Sequence, residues 1–114
     1  MEIKSFADNL EFNDARVSTN VVIETQFSKE IRILLKSGQS MKEHKTPYSI
    51  TVHLLKGEID FGVEGVIHNL KEGAIVSLAG NVKHDLHAKA DSVVRLTLSK
   101  LDKFERVEEV IKNS

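Results

Sequence analysis

Apolar and polar residues alternate with a period of two along most of this chain, and that pattern limits what it can fold into. Successive side chains of a strand point to opposite faces, so the pattern describes strands with one buried face. Between Glu30 and Lys36, the residues Ile31, Ile33 and Leu35 share a face and Arg32 points away from it. Ile59, Phe61 and Val63 alternate with Asp60, Gly62 and Glu64, and the run stops at Glu64–Gly65, a turn signal. Residues 16–26, 48–55, 73–78 and 92–99 read as further strands. Short strands separated by glycines predict an all-β chain, an antiparallel sandwich or barrel. The one proline, Pro47, stands just before a strand, where a ladder donor can be spared.

The period lengthens at the tail. Leu101, Phe104, Val107, Val110 and Ile111 recur at three- and four-residue steps, which predicts a short C-terminal helix over 101–113. Asp102 and Glu105 stand where an N-cap and its reciprocal partner belong. The apolar stripe is expected to pack on the barrel. The alternative is a helix that binds a partner or reinforces a dimer.

A length of 114 residues predicts a single domain, 1–114, with its core over about 30–99. The 40% hydrophobic and 29% charged content excludes a disordered chain. Sixteen basic residues against seventeen acidic ones give a net charge of −1, with no basic excess to suggest nucleic acid. Without cysteine there is no disulfide, thiolate ligand or thiol nucleophile. Residues 1–8 mix charges with apolar positions, unlike a secretory signal, and no apolar run approaches the roughly 20 residues that span a bilayer. A cytoplasmic protein with neither membrane nor nucleic acid as partner is expected.

Two glycine–histidine segments carry the functional information. The first starts at Gly38, reaches His44 after five residues and closes at Gly57. The second starts at Gly73 and reaches His84, passing Ala79 and Asn81. Together they resemble the two signature motifs of the cupin superfamily, and in particular small single-domain bacterial cupins of the RmlC-like kind. The resemblance implies a double-stranded β-helix, or jelly-roll, barrel. It also implies a metal held by two histidines and a glutamate of the first motif and one histidine of the second.

Carried over residue by residue, only His44 and His84 remain as metal ligands, because Thr46 and Ile50 occupy the other two positions. Ala79 replaces the second motif's proline, Ala88 its final asparagine, and Asn81 its inner glycine. Asparagine enters left-handed backbone conformations more readily than most residues. Two imidazoles without a carboxylate fall short of the three protein ligands usual in catalytic centres. The expected cofactor is therefore none, with a divalent ion (Zn, Ni, Fe or Mn) on His44 and His84 as the alternative.

The expected site is a ligand pocket lined by Met41, His44, Thr46, Ile50, Val52, His84 and Leu86. Ile50 continues an apolar face with Val52 and Leu54, which reads as conversion of a site wall into core. His87 should face away from His84, His53 lies opposite Ile50 and Val52, and His68 follows a hairpin turn. The leading functional reading is a non-catalytic barrel that binds a small molecule. Its histidines would pair with a carboxylate or phosphate below neutral pH, where imidazoles gain charge. The competing reading is a cupin enzyme, of oxygenase or isomerase type, with non-standard ligands or with His44 or His84 as general base and Tyr48 as acid. A homodimer is expected, with Val22, Leu34 and Leu55 as residues for its buried face.

Overall fold

The computed structural model describes residues 1–100. The expected helix over 101–113 lies outside them. Nine strands follow one another: β1 Ser18–Glu24, β2 Ser28–Leu35, β3 Ser40–His44, β4 Ile50–Lys56, β5 Glu58–Val63, β6 Val66–Lys71, β7 Ile75–Leu78, β8 His84–Ala88 and β9 Ser92–Ser99. They form two sheets, in the orders β1-β2-β9-β4-β7 and β3-β8-β5-β6. Every recorded pairing is antiparallel. The chain repeatedly crosses between the sheets, as in a jelly roll.

The alternation reads out as burial. Ile33 and Leu35 of β2, Ile50, Val52 and Leu54 of β4, Ile59 and Phe61 of β5, Leu86 of β8 and Val94 of β9 fill the space between the sheets. Each such side chain contributes roughly 1.5–3 kcal/mol by leaving water. The strands that the alternation did not single out are β3, β6 and β8. β3 presents mostly exposed polar residues, β6 exposes the adjacent apolar pair Val66 and Ile67 without alternation, and β8 places His84 at a buried position where an apolar residue is the usual signal.

Two turns show local chemistry setting topology. Glu64 and Gly65 both have positive φ, 50° and 83°, and join β5 to β6 through a two-residue hairpin. This is the left-handed pair that matches strand twist. Gly57 alone separates β4 from β5, which belong to different sheets, so it forms a corner. Its φ is 99°, and an added Cβ would collide with Ser92 Oγ and lie 2.5 Å from the Asp91 carbonyl oxygen. Fully buried Ser92 fixes the corner: its hydroxyl accepts from the Glu58 N–H at 3.2 Å and donates to the Ala90 carbonyl at 2.7 Å.

Residues 6–14 form an arm against the larger sheet, with residues 6–9 over its outer face. Arg32 points away from the core as expected, yet it is only 8% exposed. Its guanidinium donates to the carbonyls of Phe6 (3.1 Å), Asp8 (2.5 Å) and Asn9 (3.2 Å), and its buried Nε has no partner among the described residues. Gln39 Nε2 donates to the Asn13 carbonyl at 2.7 Å, and Lys36 pairs with Asp14 at 2.7 Å. Phe6, Ala7 and Leu10 meet Leu55 and Val93 around a shallow cavity. Leu34, expected to be available to a second subunit, is 2% exposed within the single chain. Its burial therefore needs no partner, because one chain already closes over that face.

Beside Arg32 on the same face, Glu30 forms a compact ionic group. Its carboxylate accepts from Arg95 Nε at 2.9 Å, Thr97 Oγ1 at 2.5 Å and Ser28 Oγ at 2.7 Å. Burial pushes the Glu30 carboxyl up, but these hydrogen bonds and the Arg95 charge outweigh it and hold the group below its ordinary value.

Candidate functional site

The two motifs meet at one end of the barrel because β3 and β8 are neighbours. His44 closes β3, His84 opens β8, and the register pairs them directly. Their ring centroids are 4.4 Å apart with the planes at 61°, an edge-on arrangement. His84 is 4% exposed and lies 5.9 Å from the Phe61 ring, whereas His44 is half-buried.

Both rings use the same nitrogen toward the backbone. His44 Nδ1 donates to the Lys42 carbonyl at 2.8 Å, and His84 Nδ1 donates to the Val82 carbonyl at 2.9 Å. A carbonyl only accepts, so each Nδ1 carries the proton and each Nε2 is left for another partner. The sequence neighbours are charged on both sides, Glu43 and Lys45 about His44 and Lys83 and Asp85 about His84, so they bring no net charge to the pair.

The loops leading out of β3 and into β8 are locked together. The Asn81 N–H donates to the Thr46 carbonyl at 2.6 Å. Asn81 has φ 66°, the left-handed conformation for which asparagine is suited, as its place in the second motif implied. Gly80 lies so near Pro47 that an added Cβ would be 2.5 Å from the Pro47 carbonyl oxygen. The glycines that open or close the motifs, Gly38, Gly57 and Gly73, take φ of 90°, 99° and 92°. The spacing therefore marks backbone corners, which persist although half of the ligand chemistry is replaced.

The remaining expected site residues sort by environment. The Thr46 hydroxyl donates to the Tyr48 carbonyl at 3.0 Å and accepts from the Tyr48 N–H at 3.2 Å, a local turn that occupies it. Ile50, Val52 and Leu86 belong to the closed core, at 3%, 1% and 4% exposure, and Met41 packs against that core half-buried. The described residues do not fit a three-ligand metal centre. His44 and His84 have the backbone support that metal-binding imidazoles use, but among the described residues no third donor joins them. Among the described residues, no three His, Asp or Glu side chains come together to hold an ion.

The other histidines fall elsewhere. His87 points to the outer face of β8 and meets Ser40 Oγ at 2.5 Å. His53 sits half-buried on the outer face of β4 opposite Arg95, and His68 is exposed on β6. The Ser40–His87 contact was not foreseen from the sequence. Nothing in local spacing signals it, because the partners come from strands 47 residues apart in sequence.

The sequence model of the family described as Cupin domain matches residues 31–100. No curated protein matches the chain. Among solved structures, an RmlC-like cupin protein from Desulfovibrio desulfuricans superposes with a TM-score of 0.80 at 22% identity, covering 87% of this chain and 96% of that one. An RmlC-like cupin from Shewanella frigidimarina gives 0.73 at 21% identity, over 87% and 91%. A conserved protein with a double-stranded β-helix domain from Klebsiella pneumoniae gives 0.75 at 20% identity, over 87% and 89%.

Proposed function

The chain belongs to the cupin domain family, and on that footing we propose that it is a non-catalytic barrel binding a small anionic molecule, a carboxylate or phosphate, on His44 and His84. The observation that carries this reading is that both rings commit the same nitrogen, Nδ1, to a backbone carbonyl. This leaves the Nε2 of each ring for a ligand, and the ring centroids are 4.4 Å apart. Imidazoles that gain a proton below neutral pH become donors at Nε2 and attract an anion. Among the described residues neither ring is paired with a carboxylate that would hold it as a general base, and the Thr46 hydroxyl is already engaged.

Calorimetric titration with citrate and with inorganic phosphate at pH 6 and pH 8 tests the reading. Saturable binding that weakens at pH 8 and disappears in a His44→Gln, His84→Gln variant is expected. Binding indifferent to both pH and the variant would sink it. Elemental analysis of protein purified without tag or chelator tests the alternative, a divalent ion on the same histidines. Near-stoichiometric metal that is lost in the variant would replace our reading with a metal-dependent enzyme. The chain is further proposed to act as a cytoplasmic homodimer, with support from β1, an edge strand that leaves Val21 51% exposed. Light scattering on the purified protein checks the dimer.

A further inference from the structure

A second concentration of chemistry lies on the outer face of the β3-β8-β5-β6 sheet, across β8 from His84. The register sets Ser40, His87, Asp60 and Asn69 in one row over four strands. Most of this row is internally satisfied. Ser40 Oγ meets His87 Nδ1 at 2.5 Å, and Asn69 Nδ2 donates to Asp60 Oδ1 and Glu58 Oε2, each at 3.0 Å. Lys89 stands 3.4 Å from Asp60, and Lys71 stands 2.9 Å from Glu58.

The adjoining row differs. Asp85, Gly62 and Ile67 are cross-strand partners, and Gly62 is buried although its neighbours on this face are not. The Asp85 carboxylate covers it: a Cβ on Gly62 would run into Asp85 Oδ1. Gly62 does not have positive φ, so the backbone does not demand glycine here. Glycine leaves the space that the Asp85 side chain occupies, at the cost that glycine imposes within a strand. Yet Asp85, half-buried, makes no hydrogen bond or ion pair among the described residues. Beside it opens a cavity of about 360 Å³ whose lining includes Ser40, Lys42, Asp60, Ile67 and His87. That volume falls in the range of small-ligand sites.

We propose that this cleft binds a small zwitterion of the amino-acid class. Asp85 is acceptor-only when ionised and takes the ligand's ammonium in charge-assisted hydrogen bonds. Lys42, exposed and likewise without an ion pair among the described residues, takes the ligand's carboxylate. His87, with Nδ1 occupied by Ser40, supplies Nε2 to the same group. Ile67, 70% exposed, gives the ligand's apolar side chain a wall. A simple amine would leave Lys42 unused, and a simple acid would face Asp85 and Asp60 with no counter-charge for Asp85. Only a ligand with both charges and an apolar flank uses every unspent group.

The test is a titration of ¹⁵N-labelled protein with L-leucine, isoamylamine and isovalerate, followed by NMR. Saturable shifts with L-leucine, centred on Gly62, Asp85 and His87, are expected, with the amine and the acid each binding far more weakly. Asp85→Asn keeps the shape and removes the charge, and should weaken L-leucine roughly tenfold or more, the scale of a lost charge-assisted contact. Lys42→Gln, at an exposed position that leaves the core intact, should weaken L-leucine and spare isoamylamine. No saturable shift with any probe, an unchanged affinity in Asp85→Asn, or equal binding of isoamylamine and L-leucine would each overturn the proposal.

Discussion

His44 and His84 face each other across β3 and β8 with ring centroids 4.4 Å apart, but they carry unequal structural weight. His84 is 4% exposed between His44 and Phe61, whereas His44 is half-buried. Truncating a buried ring leaves a void, so His84→Ala should cost about 1–3 kcal/mol. His44→Ala should cost about half of that or less, since surface-side losses are smaller. Urea unfolding of the two variants measures the difference, and equal losses would contradict the burial asymmetry.

Restoring the family's ligand set should restore metal binding. In a Thr46→His, Ile50→Glu variant, two new donors join His44 and His84 to give four protein ligands. Calorimetry with Zn²⁺ or Ni²⁺ should then show affinity well above wild type. The gain carries a stability loss, because Ile50 is 3% exposed and its replacement puts a carboxylate into the core wall. No gain in affinity would mean that Thr46 and Ile50 do not occupy the ligand positions.

Glu30 should give the fold a measurable acid dependence. Its folded carboxyl lies below the ordinary value of 4.5, so the folded state binds this proton less readily than the unfolded chain. The resulting stabilisation is complete above the ordinary value and is lost as pH falls through the lowered folded one. Denaturation midpoints measured from pH 6 down to pH 3 should drop in wild type. The drop should be shallower in Glu30→Gln, and parallel curves would remove Glu30 as its source.

Arg32 should hold the amino-terminal arm in place. Replacing it with alanine removes donors to the carbonyls of Phe6, Asp8 and Asn9 and uncovers the face they close. A loss of about 2–4 kcal/mol is expected from several charged hydrogen bonds broken together. Amide exchange over residues 5–10 should accelerate ahead of exchange in β2 and β9. Uniform acceleration across the chain would mean that Arg32 acts on the whole fold and not through the arm.

Gly57 and Gly65 share a positive φ, 99° and 83°, but only Gly57 is enclosed. Alanine at Gly65 should therefore cost only the left-handed backbone penalty, about 1–2 kcal/mol. Alanine at Gly57 must also displace Ser92 and the Asp91 carbonyl and should cost clearly more. Thermal unfolding of the pair separates strain from collision.

Much of the fold was legible because its causes are local. Alternation in β2, β4 and β5 is a direct consequence of strand geometry, and it put Ile33, Val52 and Phe61 on the buried face. The motif spacing was legible because glycine, and asparagine at Asn81, are the residues that tolerate positive φ at a corner. The same spacing named His44 and His84, the replaced positions Thr46 and Ile50, and the family.

Tertiary structure alone decided what happens on the outer faces. There Arg32 and Asp85 are just polar residues of an alternating strand, and their sequences do not distinguish them. One is closed over by an arm 23–26 residues away, and the other is laid across Gly62 on a neighbouring strand. Ser40 meets His87 only because β3 pairs with β8 in one register. Alternation fixes which side of a strand a residue takes. What lies opposite it depends on strand order and register, which many distant contacts set together.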